Sequence, residues 1–99
     1  MNLSILIPCL NWNVYQLIVE LTRQCEKEYN KNCYEIICIE DGSTNLFQNN
    51  KVSQLNNVEY RVLKNNIGRS AIRNLLAKKA KFEWLLFIDC DSKIIKQDF

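Results

Sequence analysis

The chain contains no histidine. Imidazole general bases and histidine-activated nucleophiles are therefore excluded from these residues. The same absence argues against zinc, as does the lack of CxxC spacing between any two of the five cysteines. No apolar run approaches the roughly 20 residues that span a bilayer. The apolar run at residues 3–10 contains Pro8 and has no basic residue before it, so it does not read as a secretion signal. Charge of one sign is scarce too. Thirteen Lys and Arg stand against eleven Asp and Glu, a net +2, which points to neither nucleic acid nor an anionic membrane as partner. The cysteine count is odd, and Cys9, Cys38 and Cys90 lie in or beside apolar segments. They read as reduced, buried, small hydrophobes of a cytoplasmic protein.

What is present suits one globular domain. With 99 residues, 47% of them hydrophobic and 24% charged, the chain can bury roughly 60–65% of its unfolded surface in one modest core. Residues 3–10 form a short apolar run and predict a first strand, with Pro8 near its end where no ladder N–H is needed. Val14, Leu17, Ile18, Leu21 and Cys25 make one helical stripe after Asn13, a fair N-cap. Residues 34–40, apolar on both faces, predict a central strand of a parallel sheet. Residues 46–55 are weakly patterned and allow a short helix containing Leu46, Phe47 and Leu55. Residues 58–63 alternate and predict an edge strand, because Glu59 and Arg61 need solvent. Ser70 offers a second N-cap to a helix carrying Ala71, Ile72, Leu75, Leu76 and Ala80. Residues 84–88 predict a fourth strand, and residues 93–99 the start of a further element. The order β-α-β-(α)-β-α-β implies an α/β fold with a mainly parallel sheet of about four strands flanked by helices.

Ligands of such sheets bind beyond the carboxyl ends of the strands, where strand order reverses. That directs attention to residues 9–11, 40–43, 64–68 and 89–91, all expected on one rim. Asp89 and Asp91 directly follow an apolar strand. In an extended segment their side chains would point the same way, so both could approach one Mg²⁺ or Mn²⁺, ions that prefer carboxylates and complete their shell with phosphates. The alternative is a polar loop that caps a helix. Asp41 could accept hydrogen bonds from a base or sugar beside the sharp turn that Gly42 permits; an ordinary strand-to-loop turn explains it as well. Gly68 precedes a helix whose N-terminus carries partial positive charge. Arg69 or Arg73, four apart on one face, could pair with a diphosphate or with the acidic cluster; two solvated arginines are the alternative. Trp12, Tyr15 and Trp84 could stack on a base or sugar, though such residues are more often core.

Four segments together resemble family 2 glycosyltransferases. Residues 5–11 (ILIPCLN) are similar to the opening IPxYN strand, with Leu10 where tyrosine is usual. Residues 36–43 (IICIEDGS) resemble EIIVVDDGS, with Glu40 in place of the first aspartate. Residues 66–74 (NIGRSAIRN) resemble NxGxxxARN, and residues 87–92 (FIDCDS) resemble FLDxDD. The resemblance covers the whole chain in order and implies that residues 1–99 are the nucleotide-sugar-binding half of a three-layer, Rossmann-like GT-A domain. Asp41 would then bond the base, commonly uracil. Pro8 and Asn11 would line the nucleotide pocket, and Gly68 and Arg73 would lie near the base or diphosphate. Asp89 would approach the ribose or donor sugar, and Asp91, with Asp89, would bind Mn²⁺ or Mg²⁺. The donor would be a nucleotide-diphosphate sugar, UDP-linked first, and the setting surface polysaccharide synthesis in the cytoplasm or at the inner membrane face. The general base is expected beyond Phe99. The 99 residues alone are accordingly expected not to turn over, and to self-associate through surface left uncovered beside the fourth strand.

Two other readings compete. Mg²⁺-dependent phosphotransferases of the haloacid dehalogenase type also place DxD after an apolar strand, but at the first strand, with the first aspartate as nucleophile. A non-catalytic α/β nucleotide-binding or interaction module is the other.

Overall fold

Leu3–Cys9 forms β1, and its side chains divide between two cores. In a computed structural model describing residues 2–92, Leu3, Ile5, Ile7 and Cys9 face one cluster, while Leu6 faces another. β2 (Tyr34–Glu40) divides the same way, with Tyr34, Ile36 and Cys38 on the first face and Ile37 and Ile39 on the second. The period of two in a strand makes both faces apolar only if both are covered. Helix α1 (Tyr15–Glu28) covers the first through Leu17, Ile18, Leu21 and Cys25, with Val52 of a short 3₁₀ helix, Asn49–Gln54, beside it. Helix α2 (Arg69–Lys79) covers the second through Ile72 and Leu76.

β3 (Val58–Val62) pairs with β2, and β4 (Trp84–Phe87) with β1, every pairing parallel, in the order β3-β2-β1-β4. The expected α/β architecture and the expected edge position of β3 both hold. β4 is the opposite edge: Trp84, Leu85 and Leu86 are exposed, and nothing among the described residues pairs with its outer side. No helix among the described residues is long and apolar enough to cross a membrane.

Several local expectations need correction. Val14, not Asn13, occupies the N-cap of α1; the Asn13 Oδ1 instead accepts from Tyr15 N–H at 3.3 Å. Gly68, not Ser70, occupies the N-cap of α2. Its φ of 95° is open to glycine, so the chain enters the helix early and Ser70 falls inside the first turn. Leu46 and Phe47 lie outside the 3₁₀ helix, and Phe47 is exposed with φ 54°. The further element expected at residues 93–99 lies outside the described residues.

Candidate functional site

The sheet order reverses at β1. From there the chain steps outward to β2 and β3, then returns to β1's other side as β4. A crevice opens at the carboxyl end of such a switch because the connections leave in opposite directions. A cleft of about 540 Å³ lies there, lined by residues from four loops: Pro8 to Leu10 and Trp12; Asp41; Asn66, Gly68, Arg69 and Ile72; and Asp89 to Asp91. The strand tips expected on one rim are on one rim. A second cleft, of about 570 Å³, lies at the amino ends of the strands between Lys31, Glu35, Glu59 and Lys81. Its size is similar, but no helix N-terminus or acidic turn opens on it, so the carboxyl-end cleft is the candidate site.

A buried carboxylate ties the loops around this cleft together. Glu40 ends β2 and is fully buried. It accepts from Ser43 Oγ at 2.5 Å, Asn49 Nδ2 at 2.8 Å and the Tyr60 hydroxyl at 2.7 Å. Burial, followed by this bond to Glu40, pushes the Tyr60 phenol well above its usual range. Asn49 Nδ2 also donates to the Trp12 carbonyl, and its Oδ1 accepts from Val14 N–H, both within 3 Å. Ser43 Oγ in turn accepts from Asn11 N–H at 2.9 Å. The Asn11 side chain accepts from the Thr44 and Asn45 amides at 2.8 and 3.0 Å. Asn11, expected at the nucleotide, therefore joins the β1 and β2 loops; it does not line the cleft. Nothing in the residue pattern marked Glu40 or Asn49 for this part, since the partners come from segments far apart in sequence.

Asp41 is nearly buried, and its carboxylate holds the loop before α2. It accepts from Ile67 N–H at 2.7 Å, Gly68 N–H at 3.2 Å and Asn66 Nδ2 at 3.2 Å. A carboxylate has about four acceptor positions, so these three bonds leave one unused, and Asp41 lines the cleft. Gly42 is required beside it. Its φ is 72°, and a Cβ there would lie 2.3 Å from Asn66 N, against backbone that cannot yield. Asn66, the opening residue of the NIGRSAIRN segment, to which the sequence assigned no role of its own, both holds Asp41 and lines the cleft.

Asp89 and Asp91 are exposed and both line the cleft. They do so for a different reason from the one expected. β4 stops at Phe87, and Ser92 N–H donates to the Asp89 carbonyl at 3.0 Å, so the pair sits on a tight turn and not on an extended segment. The ion pairs among the described residues are Arg23–Glu20 and Arg61–Glu59, so neither aspartate is tied to a cation there. Among the described residues, no group of three or more His, Cys, Asp or Glu side chains is placed to hold a metal. Two exposed carboxylates still fit a hard divalent ion that draws its other ligands from water and a substrate's phosphates. Between them Cys90 packs on the core that contains Cys9; the Cys38 thiol and burial push Cys9 upward against an opposing effect of Cys90, and the Cys9 thiol and burial push Cys90 upward.

The arginines divide. Arg69 lines the cleft at the start of α2, whereas the Arg73 guanidinium lies 4.1 Å from the centre of the Phe87 ring and is not among the lining residues. Of the aromatic candidates, Trp12 lines the cleft and is half-exposed. Tyr15 packs on the α1 core, and Trp84 begins β4 and so stands at the opposite end of the sheet.

Comparison with known proteins fits this geometry. The sequence profile of Glycosyl transferase family 2 matches residues 4–99. The chain is similar to S. aureus TarS 1–349 at 27% identity and TM-score 0.71, over 92% of this chain and 28% of that one. Against TarS 1–349 in complex with UDP-GlcNAc the identity is 28% and the TM-score 0.71, over 92% and 27% of the two chains. A complex of the same protein with UDP matches equally well. The chain thus spans less than a third of the length of these neighbours. No curated protein matches.

Proposed function

The chain belongs to glycosyl transferase family 2, and on that premise we propose that its carboxyl-end cleft binds a nucleotide-diphosphate sugar, UDP-linked, for sugar transfer to an acceptor hydroxyl in the complete protein. The observation that carries this is the meeting of Asp41, the N-terminus of α2 and the Asp89–Asp91 turn in one cleft, in a fold shared with a protein bound to UDP-GlcNAc. Family resemblance adds surface polysaccharide synthesis as the setting.

The residues divide the work by chemistry. The unused acceptor position of Asp41 suits an N–H of the base, with Pro8 and the Trp12 ring along the wall. The partial positive charge at the start of α2, with Gly68 and Arg69 beside it, suits the diphosphate. Asp91 and Asp89 would hold a Mn²⁺ or Mg²⁺ ion, which neutralises charge on the departing diphosphate when bound. Asp89 would also approach the ribose or donor sugar.

Titration calorimetry with UDP, with and without Mn²⁺, tests the reading. Metal should tighten UDP binding on the order of tenfold or more, and Asp91→Asn should remove that gain while leaving the metal-free affinity in place. UDP binding indifferent both to Mn²⁺ and to Asp91→Asn would refute the metal–diphosphate assignment. Binding unchanged by Asp41→Ala would refute the base assignment.

A further inference from the structure

A third cleft, of about 400 Å³, opens beside the loops that follow β1 and β2, within the roughly 300–1,000 Å³ usual for small-molecule sites. Its walls come from two segments, Asn13, Tyr15 and Gln16 in one and Phe47 and Gln48 in the other. The two segments are fastened together. Asn49, fully buried, follows Gln48; its Oδ1 accepts from Val14 N–H at 2.9 Å, and its Nδ2 donates to the Trp12 carbonyl at 2.8 Å. The Asn11 side chain accepts from Asn45 N–H at 3.0 Å, and Asn45 Oδ1 accepts from Phe47 N–H at 2.9 Å. Tyr15 is fixed by packing on the α1 core. Phe47 has a φ of 54°, a left-handed conformation that bulky residues rarely adopt, yet its ring is 46% exposed. Little burial offsets that strain, and strain of this kind collects at ligand sites.

The lining consists of two aromatic rings and three amide side chains, with no charged group among them. Asn13 Oδ1 accepts from Tyr15 N–H, and Gln48 Oε1 accepts from Lys51 Nζ. The NH₂ groups of Asn13, Gln16 and Gln48 make no hydrogen bond among the described residues, so three donors remain for a ligand. An anion would find no cation in the lining, and an apolar ligand would strand the amides. A sugar ring satisfies both conditions. Its C–H face packs on an aromatic ring, and each hydroxyl donates and accepts, as an amide side chain does. We infer that this cleft binds an uncharged sugar unit of a glycan, at a site separate from the nucleotide cleft. Trp12 lines one cleft and Asn13 the other, so a glycan seated here lies next to the donor cleft, as a chain receiving the sugar must. That role rests on the proposed nucleotide site; sugar binding at Tyr15 and Phe47 does not.

The experiment records amide NMR spectra of the whole chain while maltotriose, cellotriose and triacetylchitotriose are added in turn. At least one trisaccharide should move the side-chain NH₂ signals of Asn13, Gln16 and Gln48 and the backbone amide of Phe47. Phe47→Gly is the deciding variant. Glycine adopts this φ without strain, so the melting temperature should hold or rise. Its affinity for the sugar should nevertheless fall by on the order of tenfold or more. Gln16→Ala, at an exposed helix position, should also weaken binding while the rest of the spectrum stays in place. Silence of these signals toward all three trisaccharides would overturn the inference. So would shifts confined to the Asp41 cleft, or an affinity that Phe47→Gly and Gln16→Ala leave unchanged. A chain that binds the sugar here but fails to bind UDP would instead overturn the proposed function and leave this site standing.

Discussion

Replacing Glu40 with glutamine changes one oxygen into an NH₂ group and almost nothing in shape. Its consequences follow from the donors around it. Oε2 accepts from both Asn49 Nδ2 and the Tyr60 hydroxyl, while Oε1 accepts from Ser43 Oγ alone. The new NH₂ will therefore take the Oε1 position, where only one donor opposes it. Ser43 Oγ can then accept from the amide, but its hydroxyl proton must turn to another acceptor and the charge-assisted bond is gone. One such bond contributes about 2 kcal/mol net. For a domain of this size that is a fall in melting temperature of roughly 8–16 °C. Tyr60→Phe removes another donor from the same carboxylate. In a double-mutant cycle the two changes should couple by about 1 kcal/mol, because both act through one group. Circular dichroism melts of the four proteins measure both quantities. A shift below about 2 °C for Glu40→Gln, or strict additivity with Tyr60→Phe, would show that the buried carboxylate does not hold these loops.

Three further outcomes are expected. Gly42→Ala forces a Cβ to within 2.3 Å of Asn66 N at φ 72°; it should lose about 3 kcal/mol in urea denaturation and loosen the Asp41 grip on residues 66–68. Arg69→Ala should weaken UDP binding with little change in stability, whereas Arg73→Ala should lose about 0.5–1 kcal/mol of stability through its contact with Phe87 and leave UDP affinity nearly unchanged. Burial, with the charge of Glu26 adding, pushes the Cys25 thiol from 9.0 up to about 12. Its folded form holds the proton more tightly, so this contribution is whole below pH 9.0 and is lost as pH rises toward about 12. Urea midpoints measured from about pH 7 to about pH 11 should fall more steeply for the native chain than for Cys25→Ala.

Hydropathy periodicity was enough to predict the elements and the parallel sheet. β1 and β2 carry apolar residues on both faces, and a strand covered on both faces admits helices above and below. The position of the candidate site followed from topology, since parallel strands put every carboxyl end on one rim. Asp41, Gly68, Asp89 and Asp91 were legible because short-range signals mark them: a strand end, a glycine, a paired acid. Contacts between distant segments were not legible. Glu40 draws partners from residues 43, 49 and 60, Arg73 of α2 finds Phe87 of β4, and Cys90 reaches the core that holds Cys9 only because β4 returns to β1. Local sequence determines which conformations a segment prefers, and so its elements and their ends. Which side chains share a hydrogen bond depends on distances that exist only once the sheet has closed, and those the tertiary structure alone decided.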